Sequence, residues 1–194
     1  MKREQVKSAL VAAFFEAFFV VLAVLLAIAA DNWREDRNED REAQRALEAI
    51  LDEIESNRDH AASARQYHME RMGAASVAMQ NGAALTVADF PRGFIASAPV
   101  SSTAWEVAKV TGAISNLDYE TILLLSRVYE AQESYEIQKQ ASGELIYRTI
   151  WESGTQAIPQ NLQNLMEVLG TFVYRESELV GVYEEAIGAL DSGE

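Results

Sequence analysis

The sequence predicts an all-α chain in which an N-terminal transmembrane helix runs into an elongated antiparallel helical bundle. Residues 9–30 are apolar at every position except Glu16. Beyond them, apolar residues recur at helical spacing in long segments, and nothing alternates apolar with polar residues as a half-buried strand does. Turn signals are confined to a few places, chiefly Asn81-Gly82, Pro91-Arg92-Gly93, Pro99, Gly154 and Pro159. The expected organisation is a cytoplasmic tail over 1–8, a transmembrane helix over 9–30, a long helix over 31–81, a loop over 82–101, and the remaining bundle helices over 102–194.

The first element is the anchor. At ~1.5 Å per residue, residues 9–30 span ~33 Å, about one hydrocarbon core. Lys2, Arg3 and Lys7 make the leading flank basic, and Trp33 follows the far end, where an indole favours the headgroup layer and acts as an interface anchor. A cleavable signal peptide is the competing reading, because Ala27-Ile28-Ala29 fits a small-residue cleavage site. The sorting of residues on a helix argues for retention. Glu16 shares a face with Ala9, Ala12, Ala13, Val20, Ala23, Ala27 and Ala30, while Phe14, Phe15, Phe18, Leu22 and Leu25 fall on the other. A face of small residues suits close approach of a second helix, so Glu16, Ala9, Ala12, Ala13, Ala23 and Ala27 form the expected contact surface, in a homo-oligomer or against a membrane-protein partner. Lys2, Arg3 and Lys7 place the N-terminus inside and the domain on the extracytoplasmic side of the inner membrane. Arg34, Arg37, Arg41 and Arg45 on the far flank make that assignment close.

The long helix over 31–81 opens on an acid–arginine run suited to a solvated face with i,i+4 pairs. Ala43, Leu47, Ile50, Leu51 and Ile54 give it an apolar stripe, which thins at Asn57 and Arg58 and resumes as Ala61, Met69, Met72 and Met79. In the loop, Phe90, Phe94 and Ile95 are apolar enough to tuck onto the bundle. A short helix is expected from Ser101-Ser102-Thr103, which supply capping hydroxyls, to just before Gly112. The next begins at Ser115-Asn116-Leu117-Asp118, read as a serine cap with an acid three residues on. Its buried face is Ile122, Leu125, Val128, Tyr129, Tyr135, Ile146, Tyr147 and Ile150, interrupted by Gln132 and Lys139, with a place to bend at Ser142-Gly143. The last helix carries Leu162, Leu165, Met166, Leu169, Phe172, Val173, Leu179, Tyr183, Ile187 and Leu190 on one side.

Composition excludes several functions. The formal charge of −14 disfavours nucleic acid, which requires a basic surface. The absence of cysteine removes disulfides, thiolate catalysis and cysteine-based zinc sites. His60 and His68 lie eight residues apart, whereas a two-histidine metal site on a helix wants i,i+4, so both read as exposed or interfacial. No phosphate loop or nucleophile elbow occurs. No catalytic, cofactor-binding or metal-ligating residue is therefore expected. The tyrosines of the last helices, Tyr119, Tyr129, Tyr135, Tyr147, Tyr174 and Tyr183, read as core packing with hydroxyls at the rim, or alternatively as an aromatic ligand pocket.

The order of Glu16, the aliphatic run Ala17 to Ala30, Asn32-Trp33 and the acid-rich stretch Arg34 to Glu55 resembles a family of small bacterial single-pass membrane proteins known only as a domain of unknown function. Its second block is similar to Thr103-Ala104-Trp105-Glu106-Val107, Gly112-Ala113-Ile114 and Leu123 to Tyr129 here. The resemblance covers about half of the chain, and it implies topology and no chemistry. The expected function is a membrane-anchored, non-catalytic interaction or scaffold protein, such as an accessory subunit of a membrane complex. The alternative is an extracytoplasmic ligand-sensing bundle of chemoreceptor type. That reading needs a signalling partner, because the chain has no second apolar run long enough to span a bilayer.

Overall fold

The computed structural model describes the backbone of residues 2–192 and the side-chain surroundings of residues 18, 19 and 21–192. The elements are α1 (Lys2–Asn81), α2 (Thr103–Thr111), α3 (Tyr119–Ser153), α4 (Ala157–Gln160) and α5 (Leu162–Ser192), with 3-10 turns at Val87–Asp89 and Ala113–Asn116. There is no strand among the described residues. The chain divides within α1 into two compact units, residues 1–45 and 46–194.

In the first unit Phe18, Phe19, Val21, Leu22, Val24, Leu25, Leu26 and Ile28 are all exposed. Among the described residues, no helix is long and apolar enough to cross a membrane. The side chains of residues 9–17 and 20 of the expected span lie outside the described residues, and the remainder is shorter than the ~20 residues a crossing needs.

The second unit is a helical bundle whose long helices share one repeat. On α1 the inward row is Ile50, Ile54, Asn57, Ala61, Ala64, His68, Arg71, Ala75 and Ala78; all are buried except the half-buried Arg71. On α5 it is Leu165, Leu169, Phe172, Glu176, Leu179, Tyr183 and Ala186. Both rows step by four and three residues in alternation, the 3.5-residue period that keeps one seam of a helix turned toward its neighbours. On α3 the row begins Leu125, Val128, Gln132 and Tyr135. The expected thinning of the α1 stripe at Asn57 does not occur, because Asn57 is itself a seam residue. Met69, Met79 and Tyr147, expected inside, are exposed because they lie off the seam. Gln132 does not interrupt the α3 face but belongs to it. α3 runs through Ser142-Gly143 without a break.

Side-chain pairings fix the helix directions. Glu53 and Asn57 of α1 meet Tyr129 and Gln132 of α3, so the two helices run parallel. Gln132 and Tyr135 of α3 meet Tyr183 and Glu176 of α5, which runs antiparallel to both. The all-antiparallel expectation is thus corrected for α1 and α3. Parallel neighbours need a long crossover, and residues 82–102 supply it as a strap lying back along the bundle.

Local chemistry sets the helix ends. Gly82 takes the left-handed conformation, and Ala83 N–H and Gly82 N–H donate to the carbonyls of Ala78 and Met79, which closes α1 as a Schellman motif. Gly112, at φ 79°, ends α2. α3 is capped by Asp118, whose Oδ1 accepts from Thr121 N–H at 2.9 Å; Ser115, expected in that role, lies in the preceding 3-10 turn. The carboxylate accepts the free amide more strongly than a serine hydroxyl would, and the Thr121 hydroxyl, which donates to Asp118 Oδ2 at 2.7 Å, together with that amide holds the Asp118 carboxyl below the usual aspartate range.

The core has two parts. The larger gathers Ile50, Ile54, Leu125, Val128, Phe172, Leu179 and Tyr183 with Trp105 and Ala108 of α2. The smaller packs Phe90 and Phe94 of the strap on Leu165 and Leu169, with Met72, Ile146 and Ile150 around them. Leu169→Ala should destabilise the protein by ~2–5 kcal/mol, whereas Met79→Ala should stay within ~0.5 kcal/mol. Chemical unfolding followed by circular dichroism distinguishes the two, and equal effects would contradict the seam assignment.

Candidate functional site

The most organised chemistry in the chain is a set of buried polar side chains that grips the strap. An extended segment without a neighbouring strand leaves its backbone groups unpaired. In the strap, Phe94, Ala96 and Ala98 are buried in alternation. Alternate N–H groups of extended backbone point the same way, and those of Ala96 and Ala98 meet side chains of the bundle.

Ala96 N–H donates to His68 Nε2 at 3.1 Å, which makes Nε2 an acceptor and places the ring proton on Nδ1. Nδ1–H donates to Glu176 Oε2 at 2.8 Å. Ala98 N–H donates to the Tyr135 hydroxyl at 2.8 Å, and that hydroxyl donates to Glu176 Oε1 at 3.1 Å. Two backbone amides therefore feed, through an imidazole and a phenol, into the two oxygens of one carboxylate. His68 and Glu176 are both 0% exposed. Phe172 closes over the His68 ring, with centroids 5.2 Å apart.

Further along the strap, Ser101 is held by every polar atom it has. Its N–H donates to Asn57 Oδ1 at 2.9 Å, and its carbonyl accepts from Asn57 Nδ2 at 2.7 Å and Gln132 Nε2 at 2.9 Å. Its hydroxyl donates to Glu53 Oε2 at 2.7 Å. Gln132 Oε1 accepts from Asn57 Nδ2 at 3.1 Å and from the Tyr183 hydroxyl at 2.7 Å. Glu53 also accepts from Ala104 N–H at 3.0 Å and from the Tyr129 hydroxyl at 2.8 Å. The start of α2 is thus capped largely by a carboxylate of α1. Ser102, at the N-cap, makes no side-chain capping bond, while Ser101 Oγ accepts from Thr103 N–H at 3.2 Å.

These surroundings govern the tyrosines. Burial, then the Glu176 charge, pushes the Tyr135 phenol far above its usual value. Burial does the same at Tyr129 and Tyr183, with Glu53 adding to it. Their hydroxyls are tied to internal partners and do not sit at the rim, whereas Tyr119, Tyr147 and Tyr174 are exposed.

The network positions backbone: His68 Nε2 accepts the Ala96 amide, and the two oxygens of Glu176 accept from His68 and from Tyr135. Beside it, α2 and α3 border an open cleft of about 620 Å³ lined by Trp105, Tyr129, Glu106, Lys109, Glu130 and Glu133 among others. The Trp105 and Tyr129 rings stack on each other, 5.1 Å apart and 6° from parallel, so no aromatic guest fits between them. Among the described residues, no group of three or more His, Asp and Glu is placed to hold a metal ion.

The residues expected to act are elsewhere. Ala23, Ala27 and Trp33 are exposed on α1, with the Arg37 guanidinium 4.7 Å from the Trp33 ring. The side chains of Glu16, Ala9, Ala12 and Ala13 lie outside the described residues. His60 is exposed as expected, but His68 is fully buried, a correction with a physical reason: its partners convert a costly polar burial into a satisfied one. The sequence reading missed His68, Glu176, Asn57, Gln132 and Glu53 as a set. The one available signal was that the first four fall in the 4-3 rows. No protein-family model, curated protein or solved structure matches the chain, so the resemblance to the single-pass family rests on the quoted motifs alone.

Glu176→Gln should cost ~1–3 kcal/mol, because a carboxamide leaves either His68 N–H or Tyr135 O–H without an acceptor. Stability at alkaline pH reports the phenols. Their folded pKa values lie above the unfolded value of ~10, so the unfolded chain holds fewer protons above that pH and each tyrosine removes ~1.4 kcal/mol per pH unit. The contribution is complete below pH ~10 and is lost as pH rises. The part of the phenolate absorbance that belongs to Tyr129, Tyr135 and Tyr183 should therefore appear together with loss of helical dichroism, and Tyr183→Phe should make the stability dependence shallower.

Proposed function

We propose that the chain is a membrane-anchored, non-catalytic interaction protein of the kind that serves as an accessory subunit in a membrane complex. The observation that carries this reading is the apolar run over 9–30, whose described large side chains, from Phe18 to Ile28, are exposed on consecutive turns. A helix apolar at every position but Glu16 over that length needs a lipid or protein environment. The engagement of the buried polar side chains with the strap is the second support, because it leaves the bundle interior to shape a surface. In this reading the basic N-terminal flank stays inside, the bundle lies outside the cytoplasm, and the face of Glu16, Ala23 and Ala27 meets a second copy or a partner's helix.

Alkaline carbonate extraction of cells expressing the full chain should leave it in the membrane pellet, and protease applied to spheroplasts should reach its C-terminus. Cysteine placed at Ala23 should cross-link more strongly than cysteine at Leu25. A full-length chain in the soluble fraction would overturn the anchor. Protection of the C-terminus until lysis would reverse the topology, and equal cross-linking would remove the contact face.

A further inference from the structure

In a chain with 30 acidic residues against 16 lysines and arginines, two arginines converge where few carboxylates reach them. Arg71 on α1 and Arg92 on the strap place their guanidinium carbons 5.5 Å and 5.1 Å from the centroid of the Tyr67 ring. With Ser63, Gln66, Glu70 and Pro91 they line an open cleft of about 400 Å³. Tyr67 is fixed beneath them, because its hydroxyl donates to the Gly93 carbonyl at 2.7 Å.

Most of the donor capacity here is unused. A guanidinium carries five N–H donors in a planar fork suited to oxyanions. Arg92 forms no ion pair with a carboxylate among the described residues, and its one hydrogen bond runs from Nη1 to Ser63 Oγ at a long 3.5 Å. Arg71 donates from Nη1 to the Asp89 carbonyl at 2.6 Å, while Nη2 stands 3.8 Å from Glu70 Oε2, beyond hydrogen-bond range. Arg71 Nε is buried without any partner, the one such side-chain atom among the described residues. Glu70 is turned toward Gln66, whose Nε2 donates to its Oε1 at 3.1 Å, and its side chain is 52% exposed. The only carboxylate lining the cleft is thus held by a neutral amide and engages neither arginine closely.

We propose that this cleft binds a small free oxyanion, a phosphate or carboxylate group, held by Arg92 and Arg71 over the Tyr67 ring. Such a ligand joins α1 to the strap, so its binding stabilises the folded chain by mass action. The inference does not depend on the membrane anchor.

The test is thermal unfolding of the full chain in detergent, titrated with inorganic phosphate or acetate against sodium chloride at equal ionic strength. The chloride arm matters because any salt screens the repulsion of an acidic chain. Phosphate, acetate or both should raise the midpoint saturably and beyond the chloride effect. Arg92→Ala should weaken that binding about tenfold or more while leaving the unliganded midpoint nearly unchanged, since Arg92 is exposed and lightly bonded. Arg92→Lys should retain part of the affinity as a point charge without the fork, and Glu70→Gln should tighten binding several-fold by removing a like charge. Arg71 is left intact because it also holds the strap. Midpoint shifts that match chloride, or that survive Arg92→Ala unchanged, would overturn the proposal. So would the absence of any response to either anion.

Discussion

Residues 94–101 of the strap lie against the bundle with no strand beside them, and side chains of α1 and α3 satisfy the amides of Ala96, Ala98 and Ser101 and the Ser101 carbonyl. A buried peptide group without a partner costs as much as a lost hydrogen bond, and the strap has no strand beside it to pair with. His68, Tyr135, Asn57 and Gln132 act as the missing neighbours; Glu176 accepts onward from His68 and Tyr135, while Glu53 accepts from the Ser101 hydroxyl and the Ala104 amide. The parallel pairing of α1 and α3 follows from this arrangement, since only a strap that returns along the bundle lets α3 start again beside the middle of α1.

Placing polar groups in a helical seam costs hydrophobic burial and yields register. If α5 slid by one heptad against α1, Leu169 or Tyr183 would stand beside His68, and Glu176 would face apolar side chains without the hydrogen-bond donor that His68 supplies. An unpaired buried carboxylate is far more costly than a misplaced leucine, so the wrong registers are disfavoured more than the right one is improved. The apolar cluster around Phe90, Phe94 and Leu169 has no such selectivity and supplies packing at the end of the strap nearer Asn81.

This division of labour bears on function. A buried histidine and glutamate, the half-buried Glu53 and several buried tyrosines hydrogen-bond within the bundle or to the strap. Outside that network, the large apolar side chains from Phe18 to Ile28 of α1 are exposed, and Arg71 and Arg92 line a cleft with few internal partners. The same strap that the polar side chains fix in place also carries Arg92, so the geometry of that cleft is inherited from the core.

The helical class, the break after Asn81, the short α2 ending at Gly112 and the larger apolar members of the seams, such as Ile50, Ile54, Leu125, Leu169 and Phe172, were determined by the sequence alone, whereas the seam alanines Ala64, Ala75, Ala78 and Ala186 were not. The former depend on local properties: absence of proline within the long helices, glycine where φ turns positive, and apolar residues at helical spacing. The buried polar residues were not determined locally. Asn57 and Gln132 read as interruptions of an apolar stripe and His68 as an exposed or interfacial histidine, because hydropathy scores a side chain against water and takes no account of its eventual partner. Only the tertiary structure decided that His68 is buried, since its partner Glu176 lies 108 residues away and its other partner is a backbone amide of the strap. The parallel course of α1 and α3 was hidden for the same reason. Connection length permits either direction, and long-range hydrogen bonds that exist only in the folded chain select one.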